Sequence, residues 1–172
     1  MYSVDSRDTV VQITEVPQSS IGAPCPMVLA GEHHLDLAYF LEARSPGWDG
    51  TTVRIVGENS SDEPVALVKF ARAYAHMFGP PNDEAFKGHP LASRGLRPYG
   101  VYEIRGSSWL RRLESMNAVH SYHRPELFAR YHHFIFAFHD TTFECIAESF
   151  KVTVHTGSVT SVLEQAFKEV HR

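Results

Sequence analysis

Hydrophobic and polar positions alternate over much of this chain, and the alternation predicts strands before anything else. In the first half, "TVVQITE" (9–15), "PMVLAG" (26–31), "LDLAYFLEA" (35–43), "TTVRIVG" (51–57) and "PVALVKF" (64–70) each carry the β-branched and aromatic content of a strand. Between the third and fourth lies "RSPGWDG", whose Asp49-Gly50 pair suits a hairpin end. An antiparallel meander follows. The stretch 66–78 is open to two readings, because its alanines favour a helix while Val65 to Phe70 alternate as a strand; we read strand first.

The pattern then stops. From Gly79 to Pro98, "GPPNDEAFKGHPLASRGLRP" holds three glycines and four prolines with no sustained period, the composition of a lid or binding loop. A strand returns over 99–106. "SSWLRRLESMNAVH" then starts a helix with Ser107 or Ser108 as N-cap, on which Trp109, Leu113, Met116 and His120 form one core-facing stripe. That helix should end before Pro125. A second helix closes the chain, with Ser161 and Glu164 at capping-box spacing and an apolar face of Val159, Leu163, Ala166 or Phe167, and Val170.

The most regular alternation is "YHHFIFAFHDTTFECIA" (131–147). Phe134, Phe136 and Phe138 project to one side, and Tyr131, His133, Ile135, Ala137 and His139 to the other. With a two-residue turn at Asp140-Thr141, Phe138 faces Phe143, Ala137 faces Glu144 and His133 faces Glu148. The apolar phase changes afterwards to Phe150, Val152 and Val154, which predicts a bulge or turn near Glu148-Ser149. The whole pattern predicts one α+β domain over residues 1–172. Its sheet is mainly antiparallel and twisted, built from a meander and a C-terminal hairpin. One helix follows the 79–98 loop and strand 99–106, and one is C-terminal.

Composition narrows the function. The chain has 172 residues, enough for one sizeable core, and is 43% hydrophobic and 12% aromatic. No apolar run reaches the length of a membrane span, and the N-terminus lacks a signal-peptide pattern, which favours a cytoplasmic location with no membrane partner. The two cysteines suggest no disulfide framework. A formal charge of −4 with both signs scattered argues against nucleic acid. Eleven histidines are many for this length.

Candidate chemistry concentrates at two places. In the expected hairpin register, His139 and Glu144 lie diagonally across the turn with Asp140 beside them, within reach of one proton-transfer network or one metal ion. The 79–98 loop adds Asp83 and His89 as further acid–base groups, and Arg94, Arg97 and Tyr99 as groups that would hold a ligand, the arginines an anionic one. His120 and His123, three apart, would offer two nitrogens to zinc or iron on one helical turn, with His139 as a third ligand. The plainer alternatives are a solvated polar turn, a histidine covering a helix end, and arginines paired with neighbouring acids or backbone.

The leading expectation is a small-molecule-binding domain, an enzyme if His139 and Glu144 act as a pair, with its site bounded by the 79–98 loop and the hairpin turn. The alternative is a non-catalytic interaction module, homo-oligomeric in one form, that meets a protein through His133, Ile135, Ala137, Ile146 and Glu148.

Overall fold

The computed structural model describes residues 2–43 and 55–170. Nine strands and two α-helices run in the order β1 (Thr9–Gln12), β2 (Met27–Ala30), β3 (Leu35–Phe40), β4 (Glu63–Ala71), β5 (Ala75–Gly79), β6 (Val101–Arg105), α1 (Ser108–Asn117), β7 (His132–Ala137), β8 (Thr142–Ala147), β9 (Ser149–Gly157) and α2 (Val159–Val170). The class is α+β, and every strand pair is antiparallel. The strands divide between two sheets, β1-β6-β7-β8-β5 and β2-β3-β4-β9. The meander survives only as β2-β3-β4, because the first strand crosses to pair with β6. Of the expected 51–57 strand and its Asp49-Gly50 turn, residues 44–54 lie outside the described residues, and 55–57 form no strand.

Alternation along each strand explains the layers. One face of β3 and β4 (Leu37, Tyr39, Ala66, Val68, Phe70) packs against Phe134, Phe136, Phe138, Phe143 and Cys145 of the other sheet. The opposite face, with Ala38, Phe40, Val65 and Leu67, carries α2 through Val159, Val162, Leu163 and Ala166. α2 is capped one turn earlier than the sequence suggests. Ser161 N–H donates to Ser158 Oγ at 3.0 Å and Ser158 N–H to Ser161 Oγ at 3.2 Å.

The chain passes between sheets at two adjacent corners. β4 turns into β5 through Arg72, whose φ is 49°, and β8 turns into β9 at Glu148, where the apolar phase changes. Glu148 N–H donates to Ala71 O at 3.0 Å and its carboxylate meets Arg72 at 3.7 Å, so the two corners brace each other, while Arg130 adds a second pair to Glu148 at 3.0 Å.

The 79–98 segment is no open lid. It forms two short 3₁₀ turns, Phe86–Gly88 and Ala92–Arg94, and buries Phe86, Leu91 and Leu96 against Tyr102, Ile104, Ile135 and Ala137 on the outer face of the five-stranded sheet. α1 also differs from expectation. Ser107 caps it, accepting from Leu110 N–H at 3.1 Å, and Trp109 is its buried residue, but Met116 is 59% exposed and His120 lies beyond the helix end. Only the first turn of α1 meets the sheet, so no long stripe is covered.

Candidate functional site

The hairpin register decides which groups meet. β7 and β8 pair Ile135 with Glu144, His133 with Ile146 and Ala137 with Thr142, around a four-residue loop closed by Phe138 N–H donating to Thr141 O at 2.9 Å. Relative to the sequence expectation the pairing slips by two residues, which keeps each side chain on its expected face but changes its partners. His139 and Glu144 are therefore not a pair, and His133 does not face Glu148. The four expected acid–base residues separate into two clusters.

The first cluster is sealed. Glu144, 5% exposed in its side chain, accepts from His133 Nε2 (2.9 Å) and the Tyr2 hydroxyl (2.7 Å) on Oε2, and from His89 Nε2 (3.1 Å) on Oε1. The tautomers follow from the far nitrogens. His89 Nδ1 accepts from Leu91 N–H at 3.1 Å, so its proton lies on Nε2. His133 Nδ1 sits 2.9 Å from the Ser107 hydroxyl, which donates to it while its oxygen caps α1. Burial opposes the charge on Glu144, but the bonds from His133, His89 and Tyr2 outweigh it and hold the carboxyl at about 2. Tyr2 stacks on Trp109 with ring centroids 5.7 Å apart, and burial together with the Glu144 charge pushes its phenol well up.

The second cluster is open to solvent. Thr142 Oγ1 donates to Pro81 O at 2.9 Å and Asp83 N–H to His139 O at 2.8 Å, which fasten the start of the 79–98 segment to the hairpin loop. This brings Asp83, Tyr99 and His139 together. The Tyr99 hydroxyl donates to Asp83 Oδ2, and His139 Nδ1 lies 3.0 Å from the same oxygen and 2.8 Å from the Tyr99 oxygen. Because the phenol proton is committed to Asp83, the His139 proton is on Nδ1 and the Nε2 lone pair is left free. Nε2 has only Asp140 near it, at 3.9 Å, and the His139 side chain is 40% exposed. The bonds from Tyr99 and His139 lower the Asp83 carboxyl despite partial burial. The bond to Asp83, then burial and the acidic neighbours, raise Tyr99 to about 12. Tyr99 holds φ at 59°, in the left-handed region that side chains other than glycine rarely adopt, and such conformations gather at binding sites.

Tyr99 also lines a cavity of about 370 Å³ at the edge of the five-stranded sheet, with residues 12–19, Tyr39, 99–101 and 136–138 as its walls. Gln18 Nε2 donates to Tyr99 O at 2.9 Å across it. Among the described residues the lining holds one carboxylate, Glu15, and no lysine or arginine.

The remaining sequence candidates lie elsewhere. Arg94 donates to Asp8 O at 3.1 Å, and Arg97 is exposed and outside the cavity lining, so neither stands where it would hold an anion at this site. His120 accepts from Tyr122 N–H at 3.1 Å, His123 faces Glu114 at 3.5 Å, and His139 belongs to the Asp83 cluster. The helix ends before the first two can share one of its turns. Among the described residues no three His, Cys, Asp or Glu side chains are grouped to hold a metal ion. Of the expected interaction face, His133, Ile135, Ala137 and Ile146 are buried, and Glu148 is half-buried and paired with Arg130 and Arg72. No described helix is long and apolar enough to cross a membrane.

Sequence reasoning missed Tyr2 and Gln18, and read Ser107 as a helix cap without its bond to His133. An isolated tyrosine at the N-terminus carries no pattern, and its partner is 142 positions away. His133 and Glu144 were legible as sharing a face, although the slipped register hid that they touch. Compared with protein-family models, curated proteins and solved structures, the chain matches none.

Proposed function

We propose that this chain is a cytoplasmic small-molecule-binding domain whose site is the cavity beside Asp83, Tyr99 and His139, with His139 as its acid–base group. The observation that carries this reading is Tyr99, which belongs both to the cavity wall and to the Asp83–His139 hydrogen bonds. Asp83 fixes the tautomer, so His139 presents an unprotonated Nε2 outward, the arrangement a general base requires. Asp83 and Tyr99 are positioning residues in this reading. Glu144 and His89 hold the sheet and the 79–98 segment together behind the site.

The lining also sets the class of ligand. With Glu15 in the wall and no lysine or arginine among the described lining residues, the cavity favours an uncharged or cationic molecule over an anionic one. A volume of about 370 Å³ falls in the ~300–1,000 Å³ range of small-molecule sites. The test is an NMR screen of small neutral alcohols and amines against the full chain. Binding should shift resonances of residues 12–19 and 99–101, and His139→Ala should weaken it about tenfold or more. Hits that map away from these residues, or that bind His139→Ala and wild type alike, would refute the reading.

A further inference from the structure

A second cavity, of about 220 Å³, lies on the opposite side of the molecule, between α2 and the outer face of β4 and β9. Its walls pose an electrostatic problem. Lys69 and Lys151 are direct cross-strand partners and project to the same side, and like charges in that relation destabilise a sheet. Lys69 has compensation, since Glu169 from the last turn of α2 meets it at 2.8 Å and Asp36 is its neighbour on β3. Among the described residues Lys151 makes no ion pair, so although Glu169 and Asp36 balance the two lysines in number, the Lys151 ammonium has no direct partner and is open to an anion at the mouth. Beneath the lysines the groove is apolar, floored by Leu67, Val162 and Ala166, while Gln165 and His155, whose Nε2 is 2.9 Å from the Thr153 hydroxyl, stand at the side.

We propose that this groove binds a small amphiphilic anion, its carboxylate or phosphate headgroup held between Lys151 and Lys69 and its short apolar tail lying on Leu67, Val162 and Ala166. The two headgroups share the chemistry the lysines recognise, as charge-assisted hydrogen-bond acceptors. The volume is below that of drug-sized sites, which limits the tail to a few carbons in contact with the floor. Glu169 competes with the ligand for Lys69, so it tunes affinity and is not a binding group. The site is independent of the His139 cavity in location and in charge preference.

Calorimetric titration of the full chain with octanoate, octyl phosphate and inorganic phosphate tests the proposal, with NMR mapping of the site. Octanoate or octyl phosphate should bind and shift residues of β9 and α2, and the tighter of the two identifies the headgroup. Lys151→Gln should weaken binding about tenfold, Glu169→Gln should tighten it by freeing Lys69, and His139→Ala should leave it unchanged. Inorganic phosphate binding as tightly as octyl phosphate would remove the apolar half of the proposal. Absence of binding by either amphiphile at millimolar concentration, shifts confined to residues 12–19 and 99–101, or an unchanged affinity in Lys151→Gln would overturn it.

Discussion

The Glu144 cluster and the Asp83 cluster are built from the same parts, a carboxylate that accepts from a histidine and a tyrosine, yet they sit in opposite surroundings. Around Glu144 both histidines are fully buried, both ring nitrogens of each are engaged, and no lone pair is left over. Around Asp83 the histidine is 40% exposed and keeps one nitrogen free. Identical chemistry therefore serves two purposes. Where every donor and acceptor is satisfied away from water, the group ties elements together. Where one lone pair stays exposed to solvent beside Tyr99, a wall residue of the cavity, it is the group the proposed function assigns to a ligand.

Breaking the sealed cluster should have the largest effect. Glu144→Ala leaves two buried imidazole donors and the half-buried Tyr2 hydroxyl without an acceptor and is expected to cost roughly 3–5 kcal/mol in denaturant unfolding, since each unsatisfied buried donor costs about 1–3 kcal/mol. Acid sharpens the same point. The folded Glu144 carboxyl is held at about 2, below its ordinary 4.5, so its contribution is present above pH 4.5 and is lost as the pH falls through the folded value. That contribution is about 3 kcal/mol, and Glu144→Gln should lack this part of the acid sensitivity when unfolding is followed from pH 5 to pH 2. Tyr2→Phe removes one donor to the carboxylate and should cost about 1.5–3 kcal/mol, tying the N-terminal segment to the β7–β8 hairpin. Smallest in stability should be His139→Ala, within about 1 kcal/mol of wild type, although the same change is expected to abolish most ligand binding. A His139→Ala variant as unstable as Glu144→Ala would erase the distinction between the clusters.

The sequence carried the faces of the hairpin but not its partners. Alternation of period two assigns Phe134, Phe136 and Phe138 to the core and His133 and Glu144 to the other side, and a slip of two residues leaves that assignment intact. The register depends on loop length, and Asp140-Thr141 reads as a complete turn although the loop has four residues. The 79–98 segment hid its role for a different reason. Phe86, Leu91 and Leu96 are irregularly spaced, so no helical or strand period shows that they cover a sheet. Asp83, His139 and Tyr99 were visible as residue types suited to a site. Their meeting depends on the bond from the Thr142 hydroxyl to Pro81 O and the backbone bond from Asp83 to His139, which are long-range and have no local signature.

Carbethoxylation with diethyl pyrocarbonate, read out residue by residue by mass spectrometry on the folded chain, tests the contrast most directly because it needs no ligand. The reagent attacks an accessible, unprotonated imidazole nitrogen. His139 should be modified rapidly at its free Nε2, while His89 and His133, both at 0% side-chain exposure, stay protected until the protein unfolds. Protection of His139 equal to that of His133, or early modification of His133 in the folded state, would contradict the division into a sealed tie and an open site.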